Sequence, residues 1–283
     1  LIYHYNGWAP ALAACLVCIL RKKPIYQGHG LEWKRTKYTP RQQKIMKFME
    51  LLTVKAMKNL IAVSKEQTDF FLSEYGKKCV TIPTAVNLPP INIESNILKT
   101  FNLTPEGYYL FLGRLVQDKN PDYLIKAFNK SGIKEKKLVI AGSNDADLKY
   151  VEHLHELGSA NPNIIFTGAV YGNDKEMLLS KCFAFCLPST LEGLPITLLE
   201  AMSHKRICLA SDIPANKEAL GDSGVWVKYE NINDLSEKLL FILNNCVEIE
   251  IQKIINYQRV VENFTWDKVS DLYIDYIKTL TDA

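Results

Sequence analysis

Two acids, Glu192 and Glu200, flank the start of an apolar run, Pro195-Ile-Thr-Leu-Leu-Glu-Ala-Met. Between them, Gly193 permits close backbone approach, and Pro195 suits the first turn of a helix. Amides ahead of such a helix face the positive end of its dipole and form an anion site. Glu200, more than a turn inside the helix, could accept two hydroxyls of a ribose. Upstream, Gly113-Arg-Leu-Val-Gln-Asp-Lys119 places Arg114 and Lys119 five residues apart. A planar guanidinium fork and a mobile ammonium could together clamp a diphosphate. Each of these residues also has a plainer reading. Arg114 and Lys119 could be solvated loop cations, Glu192 a loop acid and Glu200 a surface position on its helix. His29 stands between Gly28 and Gly30, and an isolated loop histidine is more often a plain polar residue. His153 and His155 lie two apart in a helical stretch, so they face different ways and make no metal pair.

Doubly wound sheets bind ligands beyond the carboxyl ends of their strands, so the surrounding elements decide whether these residues meet. Residues 108–112, 138–141, 164–167, 183–187 and 207–210 read as strands, with a short extended stretch at 225–227. Helices read over 120–130, 145–157, 174–182, 195–203 and 235–244. This alternation predicts βαβ units and a parallel sheet. Continuous apolar strands such as Tyr108-Tyr-Leu-Phe-Leu suit a sheet covered on both faces. Arg114 and Lys119 follow the first of these strands, and Glu192 to Glu200 follow the fourth.

In the first half, 1–5, 24–27, 60–63 and 80–82 read as strands and 10–20 as a helix. Residues 39–58 read as a long amphipathic segment, with Ile45, Phe48, Met49, Leu52 and Met57 near helical spacing. Ser64, with Gln67 three residues on, forms a capping box. The segment Leu88-Pro-Pro-Ile-Asn-Ile-Glu-Ser is the linker, because its prolines forbid a helix. It separates a first domain, 1–88, from a second, 89–265. A final amphipathic segment, 266–280, sets Val269, Leu272, Tyr273 and Tyr276 on one stripe.

The chain of 283 residues is long enough for two domains, and its 47% apolar and 23% charged residues give the balance of a soluble globular protein. Its net charge of +3 is unevenly spread. Residues 21–58 hold eleven Lys or Arg against Glu32 and Glu50, so this stretch carries +9 and the rest −6. Such asymmetry suits a face that meets an anionic partner, or simply a solvated basic helix. No nucleic-acid module pattern accompanies it, which argues against DNA or RNA. The seven cysteines include one Cys-x-x-Cys, Cys15 to Cys18, in an apolar run without the partners of a zinc set. They read as buried free thiols in a reducing cytosol. The apolar run 9–20 is shorter than the roughly 20 residues of a spanning helix. Its cations follow it rather than precede it, unlike a signal peptide, so it reads as a buried helix.

Taken in order, these motifs resemble the retaining glycosyltransferase family 4: Gly113-Arg-Leu with Lys119-Asn-Pro, then Val139-Ile-Ala-Gly-Ser, Ile164-Ile-Phe-Thr-Gly, and Pro188-Ser with Glu192-Gly-Leu-Pro and Glu200-Ala-Met. Ile61-Ala-Val-Ser64 and Ile82-Pro-Thr-Ala-Val-Asn87 look like its domain-boundary signature. His29-Gly-Leu-Glu-Trp-Lys-Arg35 looks like its bacterial rhamnosyltransferase-type branch.

The resemblance implies an α/β GT-B fold, two Rossmann-like doubly wound domains facing across a cleft, with the helix 266–283 packing back on the first. It implies that Arg114 and Lys119, with Gly113, hold the donor diphosphate. Glu192 would sit at the sugar and reacting centre, with Gly193 and Leu194 giving amides to phosphate ahead of Pro195 and Thr197. Glu200 would bind the ribose, Val170 or Tyr171 would lie near the base, and His29 would lie across the cleft near sugar or acceptor. The catalytic set would be Glu192, His29, Arg114 and Lys119. No metal or other cofactor is expected, since fixed cations and helix amides stabilise the leaving diphosphate. Family members place a strand and a glycine-rich loop before a segment like Leu1-Ile-Tyr-His-Tyr. On about 100–200 residues per domain, the resemblance implies that some 80–100 residues of an incomplete first domain are expected outside this sequence. Thr84-Ala-Val-Asn87 stands where the family more often has Asn-Gly-Val-Asp, which puts a glycine-dependent turn in question.

The expected function is transfer of a hexosyl-type sugar from a nucleotide sugar to a glycan or lipid-linked acceptor, with retention, in bacterial surface polysaccharide biosynthesis. The expected place is the cytoplasm, at the inner membrane face where residues 21–58 would touch anionic lipid. The competing expectation is a nucleotide-binding or interaction module without catalysis.

Overall fold

The computed structural model of the chain describes residues 2–6 and 23–281. It forms two compact units. Unit one comprises Leu1–Ala85, Leu191–Pro195 and Trp266–Ala283, and unit two comprises Val86–Thr190 and Ile196–Thr265. The expected helix at 10–20, with Cys15 and Cys18, lies outside the described residues.

Among the described residues, unit one holds a sheet of four parallel strands in chain order: β1 (Ile2–Asn6), β2 (Lys23–Gly28), β3 (Asn59–Ala62) and β4 (Val80–Thr81). Tyr26 pairs with Leu60 and Gly28 with Ala62. Helix α1 (Pro40–Ala56) starts at a capping box in which Thr39 and Gln42 satisfy each other's backbone amides, with proline in the first turn. Helix α2 (Lys65–Tyr75) is capped by the Ser64 side chain and ends at Gly76, which takes the left-handed conformation that a residue with a Cβ resists. Alternation along β2 sends Tyr26 to one face, where it packs with Val54, Met57, Leu60, Phe71 and Tyr75. On the other face, Ile25 joins Ile61, Ile82, Ala85 and Val269. Val269 belongs to the last helix, α11 (Trp266–Thr281), whose Tyr273, Tyr276 and Leu280 extend that second layer. Ala85 is not among the positive-φ residues, so the turn here does not require the family's glycine.

Unit two runs through the short helix α3 (Ile97–Thr100), β5 (Tyr108–Leu112), α4 (Pro121–Ser131), β6 (Lys137–Ala141), α5 (Leu148–Ser159), β7 (Ile164–Gly168) and α6 (Gly172–Lys181). It continues through β8 (Ala184–Leu187), α7 (Ile196–Ser203), β9 (Ile207–Ser211), α8 (Pro214–Leu220), β10 (Val225–Val227), α9 (Ile232–Asn244) and α10 (Cys246–Asn263). Its sheet is wholly parallel in the order β10-β9-β8-β5-β6-β7. The chain therefore winds one way from β5 to β7 and the other way from β8 to β10. Every residue of β5, β8 and β9 is buried, as expected for strands covered on both faces. Tyr109, Phe111, Phe128, Leu138, Ile140 and Leu239 are among the side chains of its main core. Cys182, Cys186 and Cys208 are buried free thiols, and Cys79 is a half-buried one.

One expectation fails. The apolar residues of 39–58 do not share a buried face: α1 buries Met46, Glu50, Thr53 and Val54, while Ile45, Phe48 and Leu52 are exposed. The helix turns two polar residues inward because each has a partner there. The Thr53 hydroxyl donates to the Met49 carbonyl at 2.8 Å, and the Glu50 carboxylate accepts from the Tyr75 hydroxyl at 3.1 Å and from the Trp33 indole at 3.4 Å.

Candidate functional site

The two halves of the unit-two sheet diverge between β5 and β8, the kind of crevice in which such sheets bind ligands. The segments leaving β5, β6 and β7 and the start of α7 line a cavity of about 380 Å³. Gly113 and Arg114 follow β5, Gly142 and Ser143 follow β6, Val170 and Tyr171 follow β7, and α7 contributes Thr197 and Glu200. Hydrogen bonds hold these strand ends together. Gly113 N–H donates to Ala141 at 3.0 Å, Gly142 N–H to Gly168 at 2.9 Å and Leu115 N–H to Ser143 at 3.2 Å. A Cβ at position 142 would collide with the Gly113 carbonyl oxygen, so only glycine lets these two segments lie so close.

Arg114 lines this cavity, and Lys119 lies beside its neighbour Gly113. The Lys119 stem crosses Gly113, with Nζ 3.8 Å from where a Cβ on that glycine would stand. The 3-10 turn that carries it, Gln117–Lys119, is tied to the segment after β8. The Thr190 amide and hydroxyl both donate to the Asp118 carbonyl, at 2.8 and 3.2 Å. The Asn120 side-chain amide donates from Nδ2 to the Pro188 carbonyl at 3.0 Å. Asn120 adopts φ 50° to begin α4, a left-handed conformation that asparagine tolerates.

Glu200, which also lines the cavity, is held by a cation that the sequence did not single out. Lys175 Nζ donates to Glu200 Oε1 at 2.7 Å and lies 3.1 Å from Glu176 Oε1. Glu176 Oε2 meets His204 Nε2 at 2.8 Å. Burial by itself would lower the Lys175 pKa, but the two carboxylates outweigh it and raise it. Burial also dominates at His204 and lowers its pKa, despite Glu176. Lys175 and Glu200 also line an adjoining cavity of about 290 Å³ that includes Asn87, Leu88 and Ser203. Lys175, Glu176, His204, Ser143 and Asn87 are thus additions to the expected set. Lys175 had one legible signal: it is the first cation after the carboxyl end of β7.

Expected residues of the first half gather in unit one. Gly193 lies against the His29–Gly30 backbone: a Cβ on Gly193 would strike the His29 carbonyl oxygen, and one on Gly30 would lie 2.9 Å from Gly193 Cα. Gly30 has φ 112°, a region essentially closed to other residues. The Gln67 side-chain amide clasps Gly30, accepting from its N–H at 3.2 Å and donating to its carbonyl at 3.3 Å. Glu192 and Leu191 complete a narrow cleft with Gly30, Leu31, Ser64, Glu66 and Gln67. Leu194 is buried, and α7 begins one residue after Pro195.

Of the expected residues, then, Gly113, Arg114, Val170, Tyr171, Thr197 and Glu200 line one cavity with Lys119 beside Gly113. His29 and Glu192 to Pro195 belong to unit one. Among the described residues, no group of three His, Cys, Asp or Glu is placed to hold a metal ion. No described helix is long and apolar enough to cross a membrane.

Comparison with known proteins matches residues 94–260 to the family model "Glycosyl transferases group 1". A relative in Escherichia coli, UDP-Gal:alpha-D-GlcNAc-diphosphoundecaprenol alpha-1,3-galactosyltransferase, is 27% identical over 278 residues, covering 89% of this chain and 69% of that protein. In Campylobacter jejuni, N,N'-diacetylbacillosaminyl-diphospho-undecaprenol alpha-1,3-N-acetylgalactosaminyltransferase is 28% identical over 216 residues, covering 69% of this chain and 53% of that protein. Among solved structures, Anabaena HepE in complex with UDP superposes with a TM-score of 0.83 at 16% identity, covering 100% of this chain and 79% of that one. Sucrose-phosphate synthase from Thermosynechococcus elongatus gives 0.83 at 18% identity, covering 99% and 74%. The chain shares the α/β GT-B fold of these glycosyltransferase structures.

Proposed function

The chain belongs to the glycosyl transferases group 1 family, and from that premise we propose that it transfers a sugar from a nucleotide-diphosphate donor to a lipid-linked or glycan acceptor. The reading extends to retention of anomeric configuration, as in family 4 and its rhamnosyltransferase-like branch, to a hexosyl donor and to bacterial surface polysaccharide synthesis on the cytoplasmic side. The observation that carries it is the unit-two cavity, lined by Arg114 and by the Lys175-held carboxylate of Glu200, with Lys119 beside Gly113. That spacing of charge suits a nucleoside diphosphate: cations for the phosphates, a fixed carboxylate for the ribose hydroxyls, and Val170 and Tyr171 beside the base. Uridine diphosphate is the first nucleotide to test, because the E. coli relative is named for a UDP-sugar and the HepE structure holds UDP. Both the E. coli and C. jejuni relatives are named for diphospho-undecaprenol acceptors, which favours a lipid-linked acceptor.

In this reading the bond from the anomeric carbon to the diphosphate oxygen breaks, and the leaving diphosphate takes the electron pair. Arg114 and Lys119 stabilise that charge, doing electrostatically what a metal would otherwise do. The acceptor hydroxyl bonds to the same face of the sugar and passes its proton to the departing diphosphate. The test is transfer of labelled sugar from a UDP-sugar panel to a polyprenyl-diphosphate-linked acceptor, with and without EDTA. Transfer that resists EDTA and disappears in Arg114→Ala/Lys119→Ala is expected. Normal turnover in that double variant would overturn the assignment, and nucleotide binding without transfer would favour a binding module instead.

A further inference from the structure

Four side chains of unit two form one unbroken run of contacts that ends at Glu200. His204 Nε2 meets Glu176 Oε2 at 2.8 Å, Glu176 Oε1 lies 3.1 Å from Lys175 Nζ, and Lys175 Nζ donates to Glu200 Oε1 at 2.7 Å. A carboxylate only accepts, so the contact at His204 places the ring proton on Nε2. Burial lowers the His204 pKa, which keeps the ring neutral at neutral pH. The imidazole is the fixed end of the run. Its side chain is 3% exposed, and its backbone N–H donates to the Glu200 carbonyl at 3.1 Å. The His204 carbonyl accepts from Arg206 Nε at 2.9 Å, and the Ser203 hydroxyl donates to the Glu200 carbonyl at 2.7 Å, which closes the last turn of α7. At the other end, Lys175 is a flexible cation on a four-carbon stem that one carboxylate alone would leave in several rotamers. A second carboxylate, Glu176, confines it. Neither Glu176 nor His204 is among the described residues lining the nucleotide cavity, whereas Lys175 and Glu200 both are.

We propose that His204 and Glu176 are positioning residues for the nucleotide: His204 orients Glu176, Glu176 confines Lys175, and Lys175 holds Glu200 ready for the ribose hydroxyls. A site binds tightly when the groups that touch the ligand are already locked by their neighbours, because less freedom is lost when the ligand arrives. The inference rests on the nucleoside-diphosphate reading of the cavity and adds to it two residues outside the cavity lining. The same contacts would also staple α6 to α7. A staple serves every ligand alike, whereas positioning of Glu200 serves only a ligand that offers it hydroxyls.

Calorimetric titration with UDP and GDP, each beside its 2′,3′-dideoxy counterpart, separates these roles. The proteins are the wild type, His204→Leu, Glu176→Gln, the double variant of those two, and His204→Gln. Leucine removes the donor, while the glutamine side chain carries an N–H about where the ring carries its own. For whichever ribonucleotide the wild type binds more tightly, His204→Leu and Glu176→Gln should each weaken binding about three- to tenfold, the range of one hydrogen bond. The double variant should lose no more than the worse single variant, because both act through one run of contacts. His204→Gln should recover most of the loss. The dideoxy ligands, which offer Glu200 no hydroxyl, should bind all the proteins equally well. Equal losses for ribonucleotide and dideoxynucleotide would overturn the proposal and leave only a staple between helices. Unchanged or tighter ribonucleotide binding in the two single variants would overturn it as well. Glu176→Gln is isosteric and carries the test by itself if His204→Leu does not fold. A wild type that binds neither ribonucleotide would overturn the nucleoside-diphosphate reading and this inference with it, whereas wild-type binding that the variants leave intact removes this inference alone.

Discussion

Lys175 turns Glu200 from a carboxylate on a helix into a fixed acceptor. The 2.7 Å contact orients the carboxylate in a half-buried setting where an unpartnered charge would be costly. Lys175→Met should therefore weaken binding of a ribonucleoside diphosphate about tenfold, the scale of one charge-assisted hydrogen bond. A 2′-deoxy analogue, which lacks one of the hydroxyls Glu200 would hold, should lose less. Calorimetric titration of both ligands checks this, and equal affinity of wild type and variant for the ribonucleotide would contradict it. Arg114 and Tyr171 stood out because they follow the ends of apolar strands, and Glu200 because it is an acid inside an otherwise apolar helix. Lys175 carried only a weak signal, its place as the first cation after β7, because a lysine in the first turn of a helix looks like solvated surface until Glu200, 25 residues on, folds against it.

At the scale of elements, α1 shows where sequence pattern misleads. Ile45, Phe48 and Leu52 satisfied helical periodicity, yet the buried face contains Glu50 and Thr53. Periodicity weighs side chains by type, whereas burial of an acid depends on donors that sequence spacing does not reveal, here Trp33 and Tyr75. Burial pushes the Glu50 carboxyl up to about 7, with the hydrogen bonds from Tyr75 and Trp33 offsetting only part of it. The folded protein thus keeps this proton at pH values where the unfolded chain, near 4.5, has released it. Stability from this group is fully present below the unfolded pKa and is lost as pH rises through about 7. The loss amounts to about 3 kcal/mol at most. Thermal unfolding should show the midpoint falling between pH 5 and 8, and Glu50→Gln should flatten that slope. An unchanged slope in the variant would place the pH dependence elsewhere. Helix α10 is a second lesson: the alternation of Val247-Glu-Ile-Glu-Ile obscured helical spacing, and no element was expected there.

At the scale of the whole molecule, the alternation of strands and helices was enough to expect parallel sheets, because short crossovers leave few other arrangements. The strand order of unit two was not legible, since nothing local tells β8 to pair with β5 rather than β7. Unit one takes in three stretches, through residue 85, Leu191–Pro195 and Trp266 onward; the return of the last was expected from the family resemblance, and the inclusion of Leu191–Pro195 was not. The return of α11 depends on Val269 meeting Ile25 and Ile61, more than 200 residues earlier in the chain.

The central claim is that the cavity beyond β5, β6 and β7 binds the diphosphate of a nucleotide through Arg114 and Lys119. Calorimetric titration of UDP, GDP and dTDP into the wild-type chain and into Arg114→Ala/Lys119→Ala tests it most directly. Two charged contacts at about 1.5–3 kcal/mol each predict one binding site for at least one nucleotide, weakened about a hundredfold or more in the double variant. No binding of any of the three, or equal affinity in the two proteins, would contradict the account.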